Sequence, residues 1–154
     1  MTEVSAYRAG QALPELVIDV TPTFVVAGAI ATRDFQDVHH DRARAVQGGG
    51  KDIFVNILTT TGLVQRYVTD WVGPEALVRK IAIRLGAPCY AGDTLTFSGR
   101  VAGGPGDTGT GPGDTGAGGG EYVVEVTGRC RLGDHVTGTV HLALPGSAVP
   151  GSTA

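Results

Sequence analysis

Four segments in the second half of the chain alternate apolar and polar residues with a period of two. They read IAIRLGA (81–87), TLTFSGRV (94–101), EYVVEVTGRCRL (121–132) and HVTGTVHLAL (135–144). Such alternation puts one set of side chains on each face of a sheet, so it predicts antiparallel strands with one buried face and one wetter face. The buried set is expected to include Leu85, Leu132 and Val136, and the wetter set His135. The LGDH sequence at 132–135 predicts a hairpin between the last two strands.

A long helical pattern, NILTTTGLVQRYVTDWVG at 56–73, precedes these strands. Gly73-Pro74 is typical of the end of a helix. Gly62 costs about 1 kcal/mol relative to Ala inside a helix, which predicts that another backbone approaches closely there. The apolar residues that fall at helical spacing are Ile57, Val64, Tyr67, Val68, Trp71 and Val72.

The first third of the chain predicts two smaller elements. ELVIDV at 15–20 is typical of a strand, and Thr21-Pro22 predicts the start of a short helix, with Thr as N-cap and Pro at the first position. The order is therefore strand, short helix, polar loop, long helix and four strands. We expect an α+β fold in which a curved antiparallel sheet wraps one long apolar helix.

One stretch differs sharply in composition from the rest. Residues 103–120 read GGPGDTGTGPGDTGAGGG, and ten of these eighteen residues are Gly. Such a segment buries too little apolar surface to offset its chain entropy, so it predicts a flexible loop inserted between two strands. It lacks the Lys-Ser/Thr ending of a phosphate-binding loop. We expect one domain over 1–144, followed by a disordered tail at 145–154.

Charge and composition disfavour several classes of function. The net charge is −3 and the sequence pI is about 5.7, which provides no basic field for a nucleic acid. No apolar run approaches the ~20 residues that a membrane span needs. The amino-terminal residues do not resemble a secretory signal, so we expect a cytoplasmic protein. Cys89 and Cys130 match no metal-ligand spacing and are expected to be two buried thiols.

The polar stretch RDFQDVHHDRARA at 33–45 holds the residues best suited to chemistry. Asp41 precedes RARAV and could cap a short helix, but capping does not explain the other Asp and His residues. A metal site would need further ligands, and Asp19, Asp52, Asp93 and His135 belong to separate elements. Proton transfer is the third alternative, because a carboxylate and an imidazole can hold one water between them. An apolar helix nearby would bring both pKa values towards working pH.

The sequence DFQDVHHD at 34–41 resembles the hydratase motif of the MaoC-like (R)-specific enoyl-CoA hydratases, Asp-x-Asn-Pro-aliphatic-His-x-Asp. The resemblance implies a hot-dog fold, which agrees with the layout expected above. It implies that Asp34 and His39 are the catalytic pair and that Asp41 is a structural aspartate. Gln36 stands where the family has Asn, Asp37 where it has Pro, and His40 fills a variable, solvated position.

The resemblance also implies a thioester-binding contact. The family has His-Gly at the start of its long helix, where a backbone N–H binds the thioester oxygen. Val55 and Asn56 stand there in this chain, so the backbone N–H of Asn56 is the expected donor. The substrate would be carried as a coenzyme A thioester, with no metal or other cofactor. Its phosphates need cations, for which the candidates are Arg42, Arg44, Lys51, Arg79, Lys80 and Arg84.

Residues 15–144, apart from the Gly-rich insertion, resemble the small MaoC-like subunits of actinobacterial steroid side-chain hydratases. This implies hydration of a steroid 2-enoyl-CoA with a three-carbon side chain in sterol degradation. It also implies a second MaoC-like subunit in a heterotetramer, a dimer of heterodimers. Two alternatives remain open, an acyl-CoA thioesterase and a non-catalytic hot-dog partner.

Overall fold

The computed structural model of the protein describes residues 7–104 and 120–144. The predicted loop at 103–120, apart from its ends, and the predicted tail at 145–154 lie outside the described residues. The elements follow the predicted order, except that the predicted polar loop contains a 3₁₀ turn (Asp37–His39) and a second short helix. They are β1 (Ala12–Val20), α1 (Pro22–Ala31), α2 (Arg42–Gln47), α3 (Ile57–Val72), β2 (Leu77–Leu85), β3 (Asp93–Gly103), β4 (Glu121–Cys130) and β5 (Gly133–Ala143).

The five strands form one antiparallel sheet in the order β1-β3-β4-β5-β2. The helix α3 contacts β1, β2, β4 and β5, and its Tyr67 stacks on Phe97 of β3 with ring centroids 5.7 Å apart. The sheet therefore curves around α3, as the sequence predicts. The core is built from the inward side chains of both layers, chiefly Leu63, Val64, Val68, Leu95, Val101, Val124, Val126, Val140 and Leu142.

Each of the three helices begins at a residue whose side chain accepts a backbone hydrogen bond. Thr21 caps α1 by accepting from the N–H of Phe24, as predicted. Asp41 caps α2, which confirms the capping role considered for it. Asn56 caps α3. Each cap satisfies a donor that a helix start leaves unpaired, worth about 1 kcal/mol.

The sequence prediction for His135 was wrong. The alternation assigned this side chain to the wetter face, yet His135 is 2% exposed and lies in the core beside Val136. The pairing of β4 with β5 shifts register between Gly128 and Arg129. A shift of one residue reverses which face a side chain occupies, so two consecutive residues of β5 point inwards.

Leu85 and Leu132 were also misassigned, since both are exposed rather than buried. Leu85 is the last residue of β2, an outer strand of the sheet, where no further strand covers it. Leu132 lies in the turn that joins β4 to β5, where the chain leaves the sheet. The predicted hairpin itself is confirmed.

The close approach predicted at Gly62 is absent from the part of the chain that the structure describes. A Cβ added to Gly62 would meet nothing within 4 Å among the described residues. The tight glycine is Gly28 of α1, where an added Cβ would lie 2.6 Å from Thr59 Oγ1. Ile57, one of the apolar residues at helical spacing, is 51% exposed. No helix among the described residues is long and apolar enough to cross a membrane.

Candidate active site

Asp34 follows α1 after Thr32 and Arg33, and it is positioned by the way that helix ends. Arg33 adopts φ 58°, the left-handed conformation that usually favours Gly after a helix. The turn allows the N–H of Asp34 to donate to the carbonyl of Ala29 over 2.9 Å. A non-glycine residue in this conformation stores strain, which is often found beside functional residues.

Asp34 and His39 lie side by side, with Asp34 Oδ2 3.4 Å from His39 Nε2. The other ring nitrogen of His39, Nδ1, lies 2.8 Å from the carbonyl oxygen of Phe54. A carbonyl only accepts, so Nδ1 carries a proton and Nε2 of the neutral ring carries a lone pair. Two acceptors at this separation can each accept a hydrogen bond from one water. The predicted proton-transfer arrangement is thus geometrically available.

Two hydrogen-bond donors hold the Asp34 carboxylate. The side-chain amide of Asn56 donates to Oδ2 over 3.0 Å, and the N–H of Gln36 donates to Oδ1 over 3.3 Å. The hydrogen bond from Asn56 is the largest cause of a lowered pKa for Asp34. Burial opposes this lowering, while His39 and His40 add to it. The expectation that surroundings raise this pKa was therefore wrong, because donors outweigh desolvation.

Asn56 stands at the start of α3, the position that the resemblance assigned to thioester binding. Within residues 7–104 and 120–144, its backbone N–H donates to no protein acceptor. The amino-terminal end of a 16-residue helix also carries partial positive charge. An oxygen that gains negative charge would be stabilised there. The role of this N–H stays a prediction.

His40 and Gln36 differ from what the resemblance implied. His40 is half-buried, and its Nε2 lies 2.6 Å from the carbonyl oxygen of Asp34, so it supports the Asp34 backbone instead of being solvated. Gln36, which stands where the family has Asn, is exposed, and it contacts Asp34 through its backbone N–H. Local spacing could not reveal either contact.

Among the described residues, one group of three potential metal ligands lies close together, away from Asp34 and His39. Atoms of Cys89, Asp93 and Cys130 lie within 4.8 Å of one another, and both cysteines are buried as predicted. Burial raises the pKa of Cys89 to about 12, which keeps that thiol protonated. The described residues place no third ligand beside Asp34 and His39. A structural zinc site usually has four ligands, so the cysteine group is incomplete.

The candidate cations for coenzyme A fall into two sets. Arg42 pairs with Asp52 over 2.8 Å and Arg44 with Asp37 over 2.9 Å. The remaining candidates make no ion pair with a described residue. They are Lys51, Arg79, Lys80 and Arg84.

Comparison with known proteins identifies the family. The family described as MaoC like domain matches residues 8–115, well over half of the chain. The chain belongs to the MaoC-like domain family. Its relative in Mycobacterium tuberculosis, the 3-oxo-4,17-pregnadiene-20-carboxyl-CoA hydratase beta subunit, is 57% identical over 135 residues, which are 88% of this chain and 95% of the relative.

Two solved structures are similar to this chain. The ChsH1-ChsH2 complex from Mycobacterium tuberculosis contains a chain that is 58% identical, with a TM-score of 0.77 over 89% of this chain and 98% of that one. The (R)-hydratase from A. caviae, involved in PHA biosynthesis, is 18% identical with a TM-score of 0.75 over 92% of this chain and 100% of its own. The distant match shows the fold alone and confirms the predicted hot-dog architecture.

Proposed function

We propose that this MaoC-like chain is the catalytic subunit of a heteromeric hydratase. Its substrate would be a steroid 2-enoyl-CoA with a shortened, three-carbon side chain, hydrated at the β-carbon during sterol side-chain degradation. The 57% identity to a steroid carboxyl-CoA hydratase beta subunit supports the substrate class. The observation that carries the chemistry is the pair of acceptors, Asp34 Oδ2 and His39 Nε2, 3.4 Å apart.

The proposed reaction begins with one water that donates one hydrogen bond to each member of this pair. As the water oxygen bonds to the β-carbon, one of its O–H bonds breaks and His39 Nε2 takes the proton. The electrons of the C=C bond move towards the thioester oxygen, and the N–H of Asn56 stabilises the enolate charge. Asp34 then protonates the α-carbon.

The lowered pKa of Asp34 means that it starts as a carboxylate. It can act as an acid only after it receives the proton that His39 took from water, and the 3.4 Å separation permits this transfer. The thioester carbonyl reforms when the α C–H bond forms, and both residues return to their initial states. One water is consumed and no electrons are gained or lost. The proposal therefore requires no metal or other cofactor beyond the thioester carried by the substrate.

The proposed partner is a second MaoC-like subunit in a heterotetramer, a dimer of heterodimers. The support is the match to a chain of the ChsH1-ChsH2 complex, which covers 98% of that chain. We further propose a cytoplasmic location, in keeping with two buried free cysteines. Light scattering of the co-expressed subunits tests the stoichiometry.

The first candidates to bind the coenzyme A phosphates are Lys51, Arg79, Lys80 and Arg84.

Substitution of the pair within the assembled complex tests the proposal. Asp34→Asn and His39→Ala, each made only in this chain, are expected to lower the hydration rate at least ~100-fold, because each removes a proton carrier. Disappearance of the enoyl thioester and a mass gain of one water measure the rate. Asp37→Asn is the matched control, since this exposed carboxylate of the same loop pairs with Arg44 outside the site.

Full activity of the Asp34→Asn complex would show that the partner subunit carries the reaction. Release of free acid and coenzyme A, without a hydrated thioester, would identify a thioesterase instead.

A further inference from the structure

The side chain of Asn56 joins three elements around the proposed site. Its Oδ1 accepts from the N–H of Thr59 over 3.0 Å and so caps α3. Its Nδ2 donates to Asp34 Oδ2 over 3.0 Å and to Thr32 Oγ1 over 2.8 Å. The Thr32 hydroxyl in turn lies 2.8 Å from the carbonyl of Gly28 in α1. Asn56 is 2% exposed, so these partners replace water around it.

Few side chains could meet both requirements of this position. The cap needs an acceptor, which Ser, Asp and Asn all provide. The contacts with Asp34 and Thr32 need two donors on the same short side chain, and only an amide supplies them together with an acceptor. An Asp here would keep the cap but place a second carboxylate against Asp34. A glycine, usual in the family, would provide neither contact.

We propose that the carboxamide of Asn56 is a positioning residue for hydration, which holds the Asp34 carboxylate beside His39 Nε2 so that one water donates to both. This inference rests on the proposed function, and it adds to the backbone N–H of Asn56 a separate role for its side chain. The amide connects the start of α3, which would stabilise the thioester oxygen, to the carboxylate of Asp34, which would transfer the proton. Asn56 thus links the thioester-binding part of the site to the proton-transfer part.

The charged surroundings of Asp34 support this role. His39 and His40 are the titratable groups that face it, and both favour the carboxylate form, but the donor from Asn56 has the larger influence on its pKa. Burial raises the pKa of Asp34, and the hydrogen bond from Asn56 counteracts this effect. If that hydrogen bond is lost, the Asp34 pKa is expected to rise. A hydrogen bond to a charged group is also stronger than a neutral one.

Two substitutions that keep the cap separate positioning from folding. Asn56→Ser retains an acceptor for Thr59 but removes the amide donors, and it is expected to lower kcat ~10- to ~100-fold, as the loss of one hydrogen bond to a charged group allows. KM should stay within about twofold, since Asn56's side chain is assigned no contact with substrate. Asn56→Asp should lose more activity than Asn56→Ser, because it opposes Asp34 with a like charge.

Thr21→Ser is the matched control, since it makes a Ser cap at α1, outside the site, and should leave kcat and KM unchanged. All variants are measured as complexes with the partner subunit. An Asn56→Ser complex with wild-type kcat, or one in which only KM changes, would overturn the inference.

A second readout does not need turnover. With ¹³C-labelled aspartate in this chain, the Asp34 carboxyl signal is assigned by its loss in Asp34→Asn and followed with pH. The midpoint should lie below 3.8 in the wild type and move upwards in both Asn56 variants. An unchanged midpoint overturns the inference. If the wild-type complex does not hydrate the steroid thioester, the proposed function fails, while this titration still decides the role of Asn56.

Discussion

Two buried histidines hold Nδ1 against a backbone carbonyl in the same way, but their Nε2 atoms face different partners. His39 and His135 each place Nδ1 2.8 Å from a backbone carbonyl, that of Phe54 and of Ala87 respectively. In both rings Nε2 is therefore the free acceptor of the neutral form. His39 directs it at a carboxylate, whereas His135 directs it at the hydroxyl of Thr60 over 2.8 Å. Only the first arrangement leaves a place for a water to exchange protons.

His135 makes stability depend on pH in a defined direction. Burial lowers the pKa of His135 below 6.5, so the unfolded chain binds a proton more readily than the folded one. The contribution to stability is therefore complete above pH 6.5 and is lost as the pH falls towards the folded pKa. We expect the free energy of unfolding of the wild type to decrease below pH 6.5, by at most about 1.4 kcal/mol per pH unit for this one proton.

His135→Gln should flatten this decrease, as measured by urea unfolding at several pH values. Thr60→Val is the matched control, because it removes a hydrogen-bond partner but keeps the titrating ring, so its decrease should persist. An equal slope in His135→Gln and the wild type would contradict the assignment.

The contact between α1 and α3 explains why two helical glycines differ. Gly28 of α1 lies against Thr59, so α1 can approach the first turn of α3 and bring Asp34 to Asn56. Gly62 of α3 has no neighbour within 4 Å of an added Cβ among the described residues, and it lies on the exposed side. Packing therefore requires a glycine at position 28 of α1. Packing within the described part of this chain does not require one at position 62 of α3.

Alanine at each glycine tests this difference. Gly62→Ala is expected to raise stability by up to about 1 kcal/mol in the chain without its partner, because only helix propensity changes. Gly28→Ala should destabilise by about 1–3 kcal/mol, because the added methyl overlaps the Thr59 side chain. Thermal unfolding of both variants gives the comparison. Stabilisation by Gly28→Ala would show that the two helices separate easily.

At the scale of the whole molecule, backbone hydrogen bonds to the sheet fix the position of the segment that orients His39. The segment around Phe54 is tied to the chain between β2 and β3, with the N–H of Val55 donating to Cys89 and that of Ala91 to Ile53. The N–H of Gly92 donates to Val20 at the end of β1. The carbonyl that orients His39 is therefore anchored to the sheet rather than to a free loop. Anchoring of this kind keeps a catalytic pair at a fixed separation.

Removal of metal ions is expected to leave the activity intact. The proposed chemistry uses two side chains and one backbone N–H, and the group formed by Cys89, Asp93 and Cys130 offers only three ligands. The complex dialysed against EDTA should hydrate its substrate at the original rate. Cys130→Ala, which removes one of the three ligands, serves as the paired control and should behave likewise. Loss of activity that added zinc restores would assign a metal to this group.

Much of the fold could be predicted from the sequence because its signals are local. Period-two alternation, the helical spacing in α3 and the caps at Thr21 and Asp41 all depend on neighbours within a few residues. The errors arose where distant strands met. A register shift between β4 and β5 turned His135 inwards, and the sheet edge left Leu85 exposed. Neither effect is encoded within one segment.

For the site, the sequence by itself predicted the pair Asp34 and His39, since both lie in one motif, and the comparisons showed that the chain belongs to the MaoC-like domain family. Only the tertiary structure decided how the pair is held. Asn56 lies 22 residues beyond Asp34 in the chain, and Phe54 lies 15 beyond His39. Hydrogen bonds across such separations depend on how α1, α3 and the sheet pack, so the lowered pKa of Asp34 and the tautomer of His39 follow from the fold.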